Sequence, residues 1–227
     1  AVWCASALGG GYSGSGGGNL GPPRRRAGGH MEPEDLAVLE LSSFQLMTME
    51  QSPNVSVFTN LAPNHLDYHH TMEEYTQAKT NIFRHQGEGD RVIFNWDCER
   101  LHPLAELAPA GVVWYSRQER LEQGVYLRDG AIWLTNTQGS REVLPLDRIR
   151  IPGVHNIENY MAAIAAVDGL VPDPVVREVA DKFQGVEHRI EKVRELDGVT
   201  YYNDSIGTST SRTAACLHAF AEAPGDM

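Results

Sequence analysis

Three side chains able to do chemistry fall within the stretch from Leu36 to Lys79: Glu40, His65 and Lys79. Glu40 breaks an otherwise apolar run and is followed by Ser42 and Ser43. His65 shares the loop Asn60–Asp67 with Asn64 and Asp67, and Lys79 lies on an amphipathic segment. A carboxylate, an imidazole and an amine converging on one side of a sheet can hold metal and phosphate. Each also has a plainer reading. Glu40 emerges into solvent at a strand end, His65 is a surface histidine, and Lys79 snorkels along an apolar face.

The elements that must position them are legible. Leu36–Leu41 is continuous except for Glu40 and reads as a buried parallel strand with both faces covered. Val55–Thr59 is a second strand, and the His65 loop follows it. In open α/β sheets ligands bind at such C-terminal strand ends. Thr71 with Glu74 makes a capping box for a helix. Its stripe of Met72, Tyr75, Ala78, Lys79, Ile82 and Phe83 puts Lys79 on or beside the apolar face. A shielded amine there has a lowered pKa and is open to modification or substrate contact.

Downstream, Arg91–Asn95, Cys98–Leu107 and Val112–Tyr115 repeat a strand, helix, strand rhythm. That predicts an α/β fold with a mainly parallel central sheet flanked by helices and joined by right-handed crossovers. Val125–Arg128, Ala131–Thr135 and Glu142–Pro145 form a small antiparallel addition, turning at Asp129-Gly130. A helix Ile157–Val167 follows Gly153-Val154-His155-Asn156, so His155, Asn156 and Asn159 sit at its start, where free N–H groups favour anions. Capping accounts for Asn156 but not for Asn159. Pro172–Phe183 is another helix, and Ile190–Leu196 and Val199–Tyr202 are strands around Asp197-Gly198. Asp204 ends the last strand before a helix Thr208–Phe220 and suits a ribose hydroxyl or a metal.

Composition excludes several classes. The chain has 227 residues, 41% hydrophobic and 22% charged, with no apolar run long enough to cross a bilayer and no signal-peptide pattern. A net charge of -11 argues against general nucleic-acid binding. Cys4, Cys98 and Cys216 are too few and too far apart for a disulfide frame or zinc site and read as free thiols. Residues 1–30 are Gly-rich, carry Pro22-Pro23 and Arg24-Arg25-Arg26, and show neither helix nor strand periodicity; they read as a flexible tail with one turn at Gly17–Gly21.

The order of these pieces resembles the Mur ligases of peptidoglycan synthesis. Leu39-Glu40-Leu41-Ser42-Ser43-Phe44-Gln45-Leu46, Asn64-His65-Leu66-Asp67, Tyr75 to Lys79, Gly153 to Asn159, His188-Arg189 and Asn203-Asp204-Ser205 carry the resemblance. It runs from about Glu34 to the C-terminus, and the LELSSFQL segment points to the D-glutamate-adding branch. The resemblance implies residues 34–186 as part of a central ATP-binding domain. Residues 187–227 are then the first β-α unit of a Rossmann-like C-terminal domain, and 1–33 an atypical Gly/Arg-rich remnant. It implies a cytoplasmic, monomeric ligase using ATP and Mg2+. Such a ligase activates the carboxylate of UDP-N-acetylmuramoyl-L-alanine as an acyl phosphate, which D-glutamate then attacks. By the same resemblance Glu40, His65 and Lys79 are metal-site and catalytic residues, with Lys79 as the carbamylated lysine. Asn156 and Asn159 become nucleotide contacts, Arg189 a phosphate contact and Asp204 the ribose contact. Asn19, Ser42 and Ser43 line the UDP-substrate cleft.

Departures from the family pattern shape the expectation. No glycine-rich run ending Gly-Lys-Thr or Gly-Lys-Ser is present, and Ile206 stands where many members carry Lys. A chain truncated at both ends, with little or no ligase activity alone, is expected. The rivals are another Mur-type ligase, a folylpolyglutamate synthase, or a non-catalytic nucleotide-binding fragment. A Rossmann oxidoreductase fits poorly, since no G-x-G-x-x-G follows a strand.

Overall fold

Arg91–Asn95 is a deeply buried strand, with Val92, Ile93 and Phe94 fully buried. Successive residues of a strand face opposite ways. Ile93 therefore enters one apolar core with Tyr115, Val125, Ile132 and Met161. Val92 and Phe94 enter a second with Phe58, Tyr75, Phe83, Leu101 and Leu104. Two cores on opposite faces are what an unbroken Val-Ile-Phe run requires.

The computed structural model describes residues 35–62, 69 and 71–207, the backbone of 14–18, and residues 213, 214, 216, 217 and 220. The elements in order are β1 Gly14–Gly18, β2 Leu36–Glu40, α1 Ser43–Leu46, β3 Val55–Phe58, α2 Met72–Thr80 and β4 Arg91–Asn95. Next come α3 His102–Ala105, β5 Gly111–Ser116, β6 Gly124–Arg128, β7 Ala131–Asn136 and β8 Gly139–Pro145. The series closes with α4 Val154–Val167, α5 Asp173–Lys182, β9 Glu191–Leu196 and β10 Val199–Asn203. A six-stranded sheet runs in the order β3-β4-β5-β6-β7-β8. Its first three pairings are parallel and its last two antiparallel. The expected antiparallel addition is thus continuous with the parallel sheet. Asp129 and Gly130 turn between β6 and β7 with φ of 49° and 75°, the paired positive angles of a type I′ hairpin. β9 and β10 form a separate antiparallel ribbon around Asp197 and Gly198, both again at positive φ.

Four expectations need correction. Residues 14–18 are not featureless: β1 pairs in parallel with β2, in register from Gly14↔Leu36 to Gly18↔Glu40. A ladder joins backbone groups and needs no side-chain signal, so periodicity is blind to it. Second, β2 is not covered on both faces. Leu36, Val38 and Leu39 are half-buried, while Ala37 and Glu40 are exposed. Among the described residues β1 is its only hydrogen-bonded neighbour. Third, the expected Cys98–Leu107 helix is a 3-10 turn at Glu99–Leu101 followed by the short α3. Pro103, near the start of α3, has no N–H to join an earlier turn. Fourth, α4 starts at Val154, not Ile157, with Gly153 as its N-cap at φ 98°. That angle favours glycine and sets where the helix begins.

α4 is the long buried helix of the first core, with every residue from Tyr160 to Val167 buried. Its C-terminal end is fixed from the sheet. The Arg91 guanidinium donates to the carbonyls of Ala166 and Asp168, at 3.0 and 2.9 Å. Among the described residues no helix is long and apolar enough to cross a membrane. The C-terminal helix expected at Thr208–Phe220 lies largely outside the described residues, although Thr213, Ala214, Cys216, Leu217 and Phe220 are helical.

Candidate functional site

Two polar groupings stand out. The first is built on α1 and α2. Ser42 caps α1: its hydroxyl accepts from the Gln45 N–H, and its own N–H donates to Gln45 Oε1 at 2.9 Å. This reciprocal capping box is spelled by Ser42-Ser43-Phe44-Gln45 and was overlooked in the sequence. With its neighbour turned outward as the cap, Ser43 is buried, its hydroxyl 2.9 Å from His69 Nε2. His69 has no exposed surface. Its ring stacks on Phe44 at 5.4 Å and meets the Tyr75 ring edge-on at 5.3 Å. Tyr75 in turn lies 5.2 Å, ring centre to Nζ, from Lys79, and Phe58 closes the other side at 5.6 Å. The Asn81 side chain, just past α2, donates to the Leu46 carbonyl at 3.0 Å and locks α1 to α2.

Lys79 is therefore half-buried between two aromatic rings, on the sheltered face the helical stripe indicates. Burial lowers its pKa, and among the described residues no charged neighbour contributes to the shift. Ring faces attract an ammonium, so the same setting is compatible with a cation held in place. Ser43 is linked to Lys79 through His69 and Tyr75. Glu40, two residues before Ser42, is exposed at the end of β2, as the plainer reading has it. His65 and Asn19 lie outside the described residues. His69, linking the serine loop to the lysine helix, was not anticipated; nothing in its local sequence separates it from its neighbour His70.

The second grouping surrounds the start of α4. Asn156 does not cap the helix. It is a residue of the first turn, and its amide donates to the Pro152 carbonyl at 2.6 Å. Asn159 is exposed and reaches Asn156 Oδ1 at 3.4 Å. His155 has its pKa lowered, first by burial and then by Arg189, against the opposing pull of Glu158 and Asp204. Arg189 and Asp204, from a distant part of the chain, are thus within electrostatic range of His155 in the first turn of α4. Their turn is held by hydrogen bonds. Asp204 Oδ1 accepts from the Ile190 N–H at 3.2 Å, and Asn203 Nδ2 lies 2.9 Å from His188 Nδ1. His188 and Ile190, on either side of Arg189, have φ of 65° and 47°. That backbone is unfavourable for a β-branched residue and persists only where its surroundings enforce it. A helix N-terminus, an exposed arginine and amide and carboxylate groups suit an anion bearing hydroxyls.

Among the described residues no three His, Cys, Asp or Glu side chains form a metal cage. The Glu40 carboxylate is a hard oxygen donor of the kind Mg2+ takes, and Mg2+ is commonly held by one or two carboxylates together with substrate phosphates. An unmodified Lys79 ammonium is no ligand.

The family description "Mur ligase middle domain" matches residues 21–167. The UDP-N-acetylmuramoylalanine–D-glutamate ligase of Acetivibrio thermocellus is 48% identical over 206 residues, covering 91% of this chain and 44% of that protein. The enzyme of the same name from Clostridium beijerinckii is 47% identical over 206 residues, with the same two coverages. The chain therefore spans less than half the length of these curated relatives. In structure it resembles MurF from Acinetobacter baumannii, with a TM-score of 0.72 at 17% identity over 96% of this chain and 50% of that one. It also resembles a MurF ligase from Thermotoga maritima in complex with ADP, with a TM-score of 0.71 at 16% identity over 99% of this chain and 55% of that one. These two likenesses concern the fold: an α/β domain with a mostly parallel central sheet flanked by helices. With the family description matched over well over half of its residues, the chain belongs to the Mur ligase family.

Proposed function

We propose that this chain is the nucleotide-binding core of an ATP-dependent amide ligase that adds D-glutamate to UDP-N-acetylmuramoyl-L-alanine in cytoplasmic peptidoglycan synthesis, acting as a monomer. The observation that carries the reading is the 48% identity to a ligase of that name. The shielded Lys79, linked to Ser43 through Tyr75 and His69, supports it from the geometry. Residues 34–186 form part of the central ATP-binding domain, and 187–227 begin the next one.

In this reading Asn156, Asn159, Arg189 and Asp204 bind the nucleotide. Arg189 meets phosphate, and the Asp204 carboxylate accepts from a ribose hydroxyl. Asn19, Ser42 and Ser43 contact the UDP-linked substrate. Glu40 and His65 would hold Mg2+, which when bound draws phosphate and carboxylate oxygens together. Lys79 joins them as a carbamate: its neutral amine adds to CO2 and loses one proton, leaving an oxygen anion. A neutral amine is needed for that addition, and burial favours it.

A second reading, nucleotide binding without turnover, is favoured by the lack of a Gly-Lys-Thr or Gly-Lys-Ser loop in the 227 residues. The two combine into one expectation for the isolated chain: it binds ADP with magnesium but releases no ADP from ATP when both substrates are supplied. Titration calorimetry with ADP and magnesium checks the first half. No saturable heat removes the nucleotide reading, and substrate-dependent ADP release overturns the second half.

A further inference from the structure

Asp97, Ser116, Arg117 and Glu158 form a polar chain from the ends of β4 and β5 to the first turns of α4. Asp97 follows β4 and accepts from the Ser116 hydroxyl at 2.5 Å and from the Arg117 N–H at 2.8 Å. Ser116 in turn accepts from the N–H groups of Gln118 and Glu119, at 3.2 and 2.7 Å. The loop after β5 is thereby fixed through backbone and side chain together. The Arg117 side chain then reaches Glu158 Oε1 at 3.0 Å, both groups being about one-third exposed. Glu158 is flanked by nucleotide-site candidates: Asn159 follows it, and Asn156 stands two residues before it. It also acts on the His155 imidazole, as Arg189 does. A loose carboxylate in that neighbourhood would be drawn to the Arg189 guanidinium and would repel an incoming phosphate.

We propose that Arg117 is a positioning residue of the nucleotide site: pinned by Asp97 and Ser116, it holds the Glu158 carboxylate at the end of β5, so that Arg189 stays available to an anion. The proposal rests on the nucleotide reading above but makes its own asymmetric demand. A pair that served stability alone would be lost equally from either side. Here Arg117→Ala frees a carboxylate, whereas Glu158→Gln removes it.

The test is calorimetric titration of the 227-residue chain with ADP and magnesium, for the unsubstituted protein, R117A, E158Q and the double variant R117A/E158Q. R117A is expected to weaken ADP about tenfold, the scale of one uncompensated charge near a phosphate. E158Q is expected to bind within about twofold of the unsubstituted chain, and the double variant to recover most of the loss. Equal losses in R117A and E158Q, or no loss in R117A, overturn the proposal. Thermal unfolding of each variant separates a weakened site from an unfolded one. To keep the proposal apart from the nucleotide reading, the His155 pKa is followed by NMR in R117A without ligand. It shifts if the carboxylate moves, and a His155 titration unchanged in R117A overturns the proposal even if ADP does not bind.

Discussion

The lysine site and the α4 site pose opposite electrostatic problems. Around Lys79 the described residues supply two aromatic rings and burial, and burial shifts the amine. Around His155 it supplies charges of both signs, and the imidazole shift is the balance of burial and Arg189 against Glu158 and Asp204. A group tuned by desolvation depends on packing and is insensitive to salt. One tuned partly by neighbouring charges depends on side-chain placement and is screened. The first therefore belongs with the core and the second with the charged groups around the first turns of α4.

Breaking the packing should have the largest effect. Tyr75 is buried, meets the His69 ring and covers Lys79, so Tyr75→Ala should cost about 3 kcal/mol or more in denaturant unfolding. It should also return the Lys79 pKa toward its ordinary value, read by pH-dependent amine labelling. An unmoved pKa would mean that Tyr75 does not provide the shielding. Ser43→Ala should cost less, about 1–2 kcal/mol, by removing the hydroxyl partner of the buried His69 Nε2.

The charged site predicts a pH effect. The His155 pKa is lowered on folding from the ordinary 6.5, so the unfolded chain binds the proton more readily. Its contribution to stability is therefore complete above that value and is lost as pH falls through 6.5 toward the lowered folded value. His155→Gln should flatten that part of the stability profile measured by denaturant titration; an unchanged slope would place its origin elsewhere. Smallest of all is the salt effect. Raising ionic strength should move the His155 titration, followed by NMR, while leaving that of Lys79 in place. Equal movement of both would erase the distinction between the two sites.

Much of the sheet was readable because burial leaves a pattern. The strand Arg91–Asn95, the Asp-Gly turns and the Lys79 stripe follow directly from residue type and period. The misses are of a different kind. β1 is a backbone ladder on a run of glycines, the 3-10 turn before α3 reflects Pro103, and α4 starts early because Gly153 takes a positive φ. Among the site residues, Lys79 was legible from periodicity, and the capping box at Ser42 was legible but overlooked. The burial of β2 is less than its apolar run suggests, because such a run reports what a strand would bury and not which neighbours it finds.

The sequence by itself determined the family, the alternation of strands and helices, and which polar residues are available. Those are properties of residue type and short spacing, which act through local backbone preference and periodicity. Tertiary structure alone decided that Ser43 meets His69, that Arg189 and Asp204 come within electrostatic range of His155, and that Arg117 reaches Glu158. Each couples segments that the chain separates by tens of residues. Only packing of the sheet and helices brings such groups within hydrogen-bond or Coulomb range, so no local pattern could announce them.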